Sequence, residues 1–333
     1  MSDYLLEVND LKTWFHTFKG VVKAVDGVSF RLKRGEILGI VGESGGGKSI
    51  TGFSILKLID PPGQFDGGQI LFEGEDLLKK SEQEMQKIRG NKISMIFQDP
   101  MTSLNPLYTI GQQIEETLRM HQSELSREAR RAKAVELLRI VGIPSPELRI
   151  DSYPHQFSGG MRQRVIIAIS LATSPALIIA DEPTTALDVT VQAQIIKRLT
   201  ELVREHNASL ILITHDLALV SEVADEILVM YCGKVVESGT VADIVTRPAH
   251  PYTIGLLQSI PDMAGERKRL EQIPGMVPSP FALPPGCKFA PRCSRYQDIC
   301  DQQEPTSVPV NNRHSVCCHF YVEGGQPSES DLT

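Results

Sequence analysis

A glycine-rich segment that ends in a lysine and a serine constrains the fold of this chain more than any other feature. Residues 42–49 read GESGGGKS and match the spacing G-x-x-x-x-G-K-S/T. The preceding residues 37–41 (ILGIV) are apolar on both faces, which predicts a buried parallel strand, and a helical pattern begins at about Lys48. The segment therefore predicts a phosphate-binding loop in an α/β fold. The alternative, a glycine-rich turn with an unrelated lysine, does not account for this strand–loop–helix context.

The side chains of this loop suit a nucleoside triphosphate. Its glycines let backbone N–H groups curl around a β-phosphate, and the helix N-terminus adds positive potential. Lys48 would reach the β- and γ-phosphates, and the Ser49 hydroxyl would ligate Mg²⁺. The residues predicted to bind ATP here are Gly42, Ser44, Gly45, Gly46, Gly47, Lys48, Ser49 and Ile50.

A second buried strand, residues 177–180, ends in an acidic pair. A helix over about 189–205 separates it from a third apolar strand at 210–213, and this alternation predicts a parallel sheet with ligands at the strands' carboxyl ends. Asp181 would hold Mg²⁺ through water, and Glu182 would polarise the water that attacks the γ-phosphate. Apolar strands often end in solvated acids, so the pair is informative because it accompanies the phosphate loop.

Size and composition limit the remaining possibilities. The 333 residues fit one large domain with an appendage, and the 41% hydrophobic and 23% charged residues are typical of globular proteins. The net charge of −7 argues against a nucleic-acid partner. No run of about 18 apolar residues predicts a membrane span. The N-terminus lacks the pattern of a secretory signal, so we expect a cytoplasmic chain with reduced thiols.

Residues 5–245 resemble the ABC ATPase family, because residues 157–164 (FSGGMRQR) look like its signature loop, usually LSGGQ. The resemblance implies a RecA-like parallel core, an antiparallel β subdomain and an α-helical signature subdomain. It also implies that the signature loop caps the ATP held by the opposite subunit's phosphate loop, with Ser158, Gly159 and Gly160 as the contacts. Phe157 and Met161 replace the family's Leu and Gln but leave Ser-Gly-Gly intact.

Smaller elements agree with this resemblance. Gln98 matches the family's Mg²⁺- and γ-phosphate-sensing glutamine, and residues 186–188 match a loop that crosses the dimer interface. His215 matches the switch histidine, which would stabilise charge that develops on the γ-phosphate. The predicted catalytic residues are therefore Glu182 and His215, and the predicted Mg²⁺ ligands are Ser49, Gln98 and Asp181.

Two further family features are less sharply located. An aromatic near the N-terminus should stack on adenine; we select Phe15, with Trp14 and Phe18 as alternatives. In the family, the region of residues 101–121 lines a groove for a short helix of the membrane-spanning partner. Ordinary packing within the helical subdomain explains the same apolar residues equally well.

Residues 98–106 (QDPMTSLNP) and 155–164 (HQFSGGMRQR) are similar to the dipeptide, oligopeptide and nickel importers, and residues 250–261 look like the start of that branch's C-terminal extension. The resemblance extends to the D-type ATPase subunits of peptide permeases. It implies an ATPase domain at 1–246, a small, irregular, cysteine-containing extension at 247–333, and ATP-driven uptake of di- and oligopeptides at the cytoplasmic face of the inner membrane. The implied partners are a paralogous ATPase in a heterodimer, two membrane-spanning permease subunits and a solute-binding protein.

Three alternative functions stay open at this point. Near relatives import nickel or other small solutes. Soluble DNA-repair and translation proteins use the same ATPase, but they carry coiled-coil insertions or two cassettes, and this chain shows one cassette without a long insertion. A metal-site regulator with incidental ATP binding would not need both Glu182 and His215.

Five of the six cysteines lie between residues 287 and 318. Cys287, Cys293, Cys300 and Cys318 have the spacing C-x5-C-x6-C-x17-C. In a reduced compartment this favours a metal site, and the spacing is wider than that of typical zinc sites. We therefore expect a 4Fe–4S cluster, which the resemblance also implies, with zinc or free structural thiols as alternatives. Cys317 would be a bystander, and Cys232 is expected in a buried strand.

Overall fold

The computed structural model describes residues 3–99, 103–185, 187–260 and 272–321. The strands in chain order are β1 (Tyr4–Thr17), β2 (Gly20–Lys33), β3 (Ile37–Val41), β4 (Gly63–Phe72), β5 (Glu75–Asp76), β6 (Ile93–Ile96), β7 (Leu177–Asp181), β8 (Ser209–Thr214), β9 (Glu226–Tyr231), β10 (Lys234–Thr240), β11 (Ser307–Pro309) and β12 (Ser315–Cys317). The helices are α1 (Lys48–Ile55), α2 (Glu82–Ile88), α3 (Ile110–His121), α4 (Arg127–Ile140), α5 (Pro146–Arg149), α6 (Gly159–Leu171), α7 (Val189–Glu205), α8 (Leu217–Ser221), α9 (Val241–Thr246), α10 (Pro251–Gln258) and α11 (Ile299–Gln302). Short 3₁₀ turns lie at Leu77–Lys79, Pro154–Gln156 and Ala290–Arg292.

The chain divides into two compact units, and the first consists mainly of residues 77–213. Its strands lie in the order β8-β7-β6, and β7 runs parallel to both neighbours. Helices α3, α4 and α6 pack on one another, and α6 also contacts β6 and α7. The strands and the long helix predicted over 177–213 are thus present. Helix α4 begins at Arg127, where the Ser126 hydroxyl caps it by accepting the Ala129 N–H.

The second unit consists mainly of residues 6–31, 38–76 and 214–333. One of its sheets has the order β2-β1-β4-β5, with β1 antiparallel to β4 and β4 to β5. Its other strands follow the order β11-β12-β10-β9-β3, in which β3 and β9 are parallel and the remaining pairs are antiparallel. All residues of β3 are buried, as the two-sided apolar pattern predicts.

The C-terminal segment is more regular than the proline-rich sequence suggests. The three-residue strands β11 and β12 pair with each other, and β12 continues onto β10. Strands this short carry too little alternation to be recognised in a sequence. Cys232 also differs from expectation: it is buried, but it lies in the turn after β9 with φ of 47° rather than in a strand.

Some sequence expectations involve residues 100–102, 186 and 261, which lie outside the described residues. The expectations that lie partly outside the described residues are the motif 98–106, the groove at 101–121, the interface loop 186–188 and the segment 250–261. Within the ranges that are described, no helix is long and apolar enough to cross a membrane.

Candidate nucleotide site

The phosphate loop connects β3 to α1 and depends on glycine at both of its ends. Gly42 has φ of 149°, and a Cβ there would lie 2.1 Å from the Met230 carbonyl oxygen. Gly47 has φ of 92°, and its Cβ would lie 2.2 Å from the Ala24 carbonyl oxygen. Any side chain at either position would displace neighbouring backbone, so the tight path of the loop requires glycine.

The helix α1 begins at Lys48 with Gly47 as its N-cap, and no side chain caps its first turn. Lys48 is only 5% exposed, and its ammonium donates to the carbonyl oxygens of Gly42 at 2.7 Å and Glu43 at 2.9 Å. The predicted loop residues thus surround a buried cation at a helix N-terminus, which is an arrangement suited to binding phosphate. Ser44 and Gly45 are exposed, Gly46 is buried, and Ser49 and Ile50 are half-buried.

In the first unit, the acidic pair lies at the carboxyl end of β7. Asp181 is the last residue of that strand and is 1% exposed. Glu182 follows with φ of 42°, a left-handed conformation that non-glycine residues rarely adopt, and its N–H donates to the Ile213 carbonyl at 2.8 Å. Strained backbone of this kind is often retained where a side chain must be aimed for function.

The Glu182 carboxylate receives two side-chain hydrogen bonds on one oxygen. The Gln98 amide donates to Oε2 at 2.9 Å, and the Thr185 hydroxyl donates to the same oxygen at 3.1 Å. The structure therefore brings together Gln98 and Glu182, which the sequence predicts as separate site residues. It adds Thr185, which the sequence reasoning did not include, although a threonine three residues after a turn residue is a recognisable signal for such a contact.

The signature segment forms the start of α6. Exposed Ser158 is the N-cap, and its hydroxyl accepts the Met161 N–H at 3.4 Å. Gly159 and Gly160 form the first turn, and a Cβ on them would lie 3.0 Å from Leu187 and Val191, respectively. The unusual Phe157 is 3% exposed and therefore serves as a core residue just before the helix.

His215, in the second unit, directly follows β8 and is exposed. The next residue, Asp216, caps α8 by accepting the Leu219 N–H at 3.0 Å. The histidine thus lies between the end of a strand and a capped helix, and its catalytic role stays a prediction.

Comparison with known proteins identifies the family. The model of the ABC transporter family matches residues 25–185, and that of the oligopeptide/dipeptide transporter C-terminal region matches residues 236–300. The oligopeptide transport ATP-binding protein AppD of Bacillus subtilis is 52% identical over 322 residues, covering 96% of this chain and 98% of AppD. The dipeptide transport ATP-binding protein DppD of Escherichia coli is 48% identical over 325 residues, covering 97% of this chain and 99% of DppD. The chain belongs to the ABC transporter family, among its oligopeptide and dipeptide ATP-binding subunits.

Solved structures place this ABC ATPase in the expected fold. The ATP-binding cassette MJ0796, solved as a dimer in a post-hydrolysis state with ADP and Pi, matches with a TM-score of 0.64 and 28% identity, over 71% of this chain and 98% of that one. CbiO1 of Clostridium perfringens matches with a TM-score of 0.64 and 29% identity, over 74% of this chain and 92% of CbiO1. The predicted α/β class and ABC-type fold are confirmed. As a member of this family, the ABC ATPase couples ATP hydrolysis to transport.

The candidate adenine-stacking residues of the ABC ATPase have different surroundings. The Phe15 ring packs against Gly63, where a Cβ would lie 2.7 Å from the ring. The Lys23 ammonium lies over the Trp14 ring at 4.4 Å from its centroid, and Phe18 is 96% exposed. The assignment of Phe15 stays a prediction.

The predicted 4Fe–4S cluster of the ABC ATPase is wrong, and so is zinc as its alternative. All six cysteines lie in the described ranges and are free, and among the described residues no three His, Cys, Asp or Glu side chains are grouped to hold a metal ion. Burial raises the pKa of Cys287 and Cys293, and it raises that of Cys318 to about 12. Cys300 is buried as well, which leaves the free structural thiols that the spacing also allowed.

Proposed function

We propose that this chain is the ATP-hydrolysing subunit that energises uptake of di- and oligopeptides across the cytoplasmic membrane. The observation that carries the cargo assignment is the match of residues 236–300 to the oligopeptide/dipeptide transporter C-terminal region, because the ATPase core is shared by transporters of many solutes. Relatives named for oligopeptide and dipeptide transport, similar over nearly the whole chain, support the same assignment.

The phosphate loop fits the substrate ATP. The loop backbone and the buried Lys48 ammonium would bind the β- and γ-phosphates, since both present hydrogen-bond donors and positive potential. The residues that would hold Mg²⁺ are Ser49, Gln98 and Asp181; the buried Asp181 carboxylate and the Ser49 hydroxyl are oxygen ligands of the kind that Mg²⁺ prefers. When bound, Mg²⁺ supplies positive charge that offsets the charge of the phosphate oxygens.

Glu182 is the proposed general base. The two hydrogen bonds from Gln98 and Thr185 to Oε2 fix the rotation of its carboxylate, so its direction is set before a water is polarised. His215 would donate toward the γ-phosphate, and Ser158 with the N–H groups of Gly159 and Gly160 would bind the phosphates of the opposite subunit's ATP.

In the proposed assembly, this chain has an ATPase domain at 1–246 and an extension at 247–333. It pairs with a paralogous ATPase subunit, lies at the cytoplasmic face of the inner membrane against two permease subunits, and receives peptides from a solute-binding protein. The full-length similarity to peptide-transport ATP-binding proteins supports these partners.

The test replaces the chromosomal copy by Glu182→Gln and measures uptake of a labelled dipeptide, together with ATP hydrolysis by the purified transporter. Loss of both activities with retained ATP binding is expected. Glu205→Gln is the matched control, because Glu205 is an acid at the end of α7 whose side chain is 56% exposed. Uptake that persists at the wild-type rate would refute the peptide assignment, and hydrolysis by the variant at both composite sites would refute the role of Glu182.

A further inference from the structure

Two side chains from the segment after residue 247 reach the phosphate loop. Arg292 binds the Glu43 carboxylate with both terminal nitrogens, at 2.5 Å to Oε2 and 3.0 Å to Oε1. The Tyr252 hydroxyl accepts the backbone N–H of Glu43 at 2.7 Å. Glu43 is the second residue of the loop, so its side chain and its main chain are both held by the extension.

The Arg292 side chain is fixed in place and shielded from water. It is 4% exposed, and its Nε donates to the Pro274 carbonyl at 3.0 Å while one terminal nitrogen donates to the Tyr231 hydroxyl at 3.3 Å. The hydrogen bonds to Glu43 raise the pKa of this guanidinium further above its ordinary value. A two-pronged contact of a buried arginine is geometrically demanding, unlike an exposed ion pair.

Tyr252 is fixed by aromatic packing. It is fully buried, with its ring centroid 4.7 Å from that of Tyr231 and 5.4 Å from that of Phe289. Phe289 immediately precedes the 3₁₀ turn that ends in Arg292. The two groups that hold Glu43 therefore belong to one rigid cluster.

Glu43 connects this cluster to the phosphate-binding lysine. Its carbonyl oxygen accepts a hydrogen bond from the Lys48 ammonium at 2.9 Å. Its carboxylate also places a negative charge on a loop that must bind anionic phosphates, and Arg292 offsets that charge. Release of Glu43 would thus disturb both the position of Lys48 and the potential of the loop.

We propose that Arg292 and Tyr252 are positioning residues that hold the phosphate loop in its nucleotide-binding shape, so that the C-terminal extension sets the affinity of the subunit for ATP. The inference rests on the proposed role of the loop in binding ATP. It gives the extension a function in the ATPase cycle that requires no metal.

The experiment measures the Kd of a fluorescent ATP analogue and, in the assembled transporter, KM and kcat for ATP. Arg292→Ala is expected to raise Kd and KM at least about fivefold, with kcat at saturating ATP changed less than about twofold, because the loss is one of binding. Arg292→Ala combined with Glu43→Gln is expected to recover most of the affinity, since the unpaired charge is gone. Arg292→Lys should be intermediate, because an ammonium cannot replace the two-pronged contact.

The matched control is Arg313→Ala. Arg313 also belongs to the extension, but it pairs with Glu226 and leaves the loop untouched. Should Arg292→Ala fail to fold by circular dichroism, Tyr252→Phe decides the question, because it removes only the oxygen that accepts the Glu43 N–H; a raised Kd in this variant supports the proposal.

Wild-type Kd in both Arg292→Ala and Tyr252→Phe would overturn the proposal. So would a double variant that binds no better than Arg292→Ala, which would reduce Arg292 to a structural residue. Lys48→Ala separates this result from failure of the proposed function: if the wild type binds no nucleotide, or if Lys48→Ala binds as tightly as the wild type, the role of the loop itself is refuted.

Discussion

Replacement of Glu237, a residue of β10, should cause a large loss of stability. Its carboxylate is fully buried and accepts the backbone N–H groups of Ala249 at 2.7 Å and His250 at 2.9 Å. The His314 Nε2 lies 2.7 Å from the same carboxylate. All three partners lie after residue 247, so one side chain of β10 holds the segment that follows at three points.

Replacement of Glu237 by Ala leaves these three buried groups without that acceptor. Each buried donor that loses its partner costs about 1–3 kcal/mol, and breaking a buried pair costs about 3–5 kcal/mol. Because the terms are not additive, we expect the free energy of unfolding to fall by about 3–6 kcal/mol. With a urea dependence of about 3 kcal/mol per molar, the unfolding midpoint would fall by about 1–2 M.

The assay is a urea titration followed by the fluorescence of Trp14, the single tryptophan of the chain, which lies in β1 of the same unit. The control is Glu226→Ala, which breaks the pair of Glu226 and Arg313, whose side chains are 27% and 50% exposed. An exposed pair of this kind contributes less than about 1 kcal/mol. If Glu237→Ala destabilises the protein no more than Glu226→Ala does, the reasoning about buried hydrogen bonds is refuted.

Three further predictions follow from single groups. Burial lowers the pKa of His250 from its ordinary 6.5 to about 4. The stability that depends on its neutral form is therefore present above pH 6.5 and is lost as the pH falls toward 4. Urea titrations of His250→Gln should show a smaller decrease in the free energy of unfolding over this pH range. Burial raises the pKa of Cys318 to about 12, so mass spectrometry should find it alkylated by iodoacetamide at pH 8 far more slowly in the native than in the unfolded protein. Thr185→Val removes one hydrogen bond to the Glu182 carboxylate and should lower kcat about tenfold in steady-state assays, whereas Thr185→Ser should retain it.

The local parts of the nucleotide site could be predicted from sequence because short segments specify them. A two-sided apolar strand, a glycine-rich turn and a helix specify the phosphate loop within about 20 residues, and the structure has these elements where they are expected. The contact of Gln98 with Glu182 spans 84 positions and depends on β6 lying beside β7. The acidic end of a buried strand predicts Glu182, and resemblance to a family supplies Gln98, but periodicity alone would not have paired them.

The extension contains contacts that the pattern of residue types in the sequence does not predict. Cysteine spacing predicts a metal site, yet spacing does not show how the side chains are arranged in space, and among the described residues no three His, Cys, Asp or Glu side chains are grouped to hold a metal ion. The Arg292–Glu43 contact joins residues 249 positions apart and gives no sequence signal, because either side chain alone is an ordinary surface residue by composition.

Two carboxylate contacts, at Glu43 and at Glu237, join the segment after residue 247 to the rest of its unit, and their positions imply different consequences. Glu237 lies in the middle of β10 and is not itself part of the loop, so its loss should lower stability while the remaining folded protein binds ATP with wild-type Kd. Glu43 is part of the loop, and its side chain is 32% exposed. Loss of its contact with Arg292 should therefore weaken ATP binding strongly while it lowers the free energy of unfolding only a little. The ratio of the two effects, measured in Glu237→Ala and Arg292→Ala, therefore separates attachment of the extension from control of the phosphate loop. Equal ratios in the two variants would mean that the extension acts on nucleotide binding only by holding the unit together.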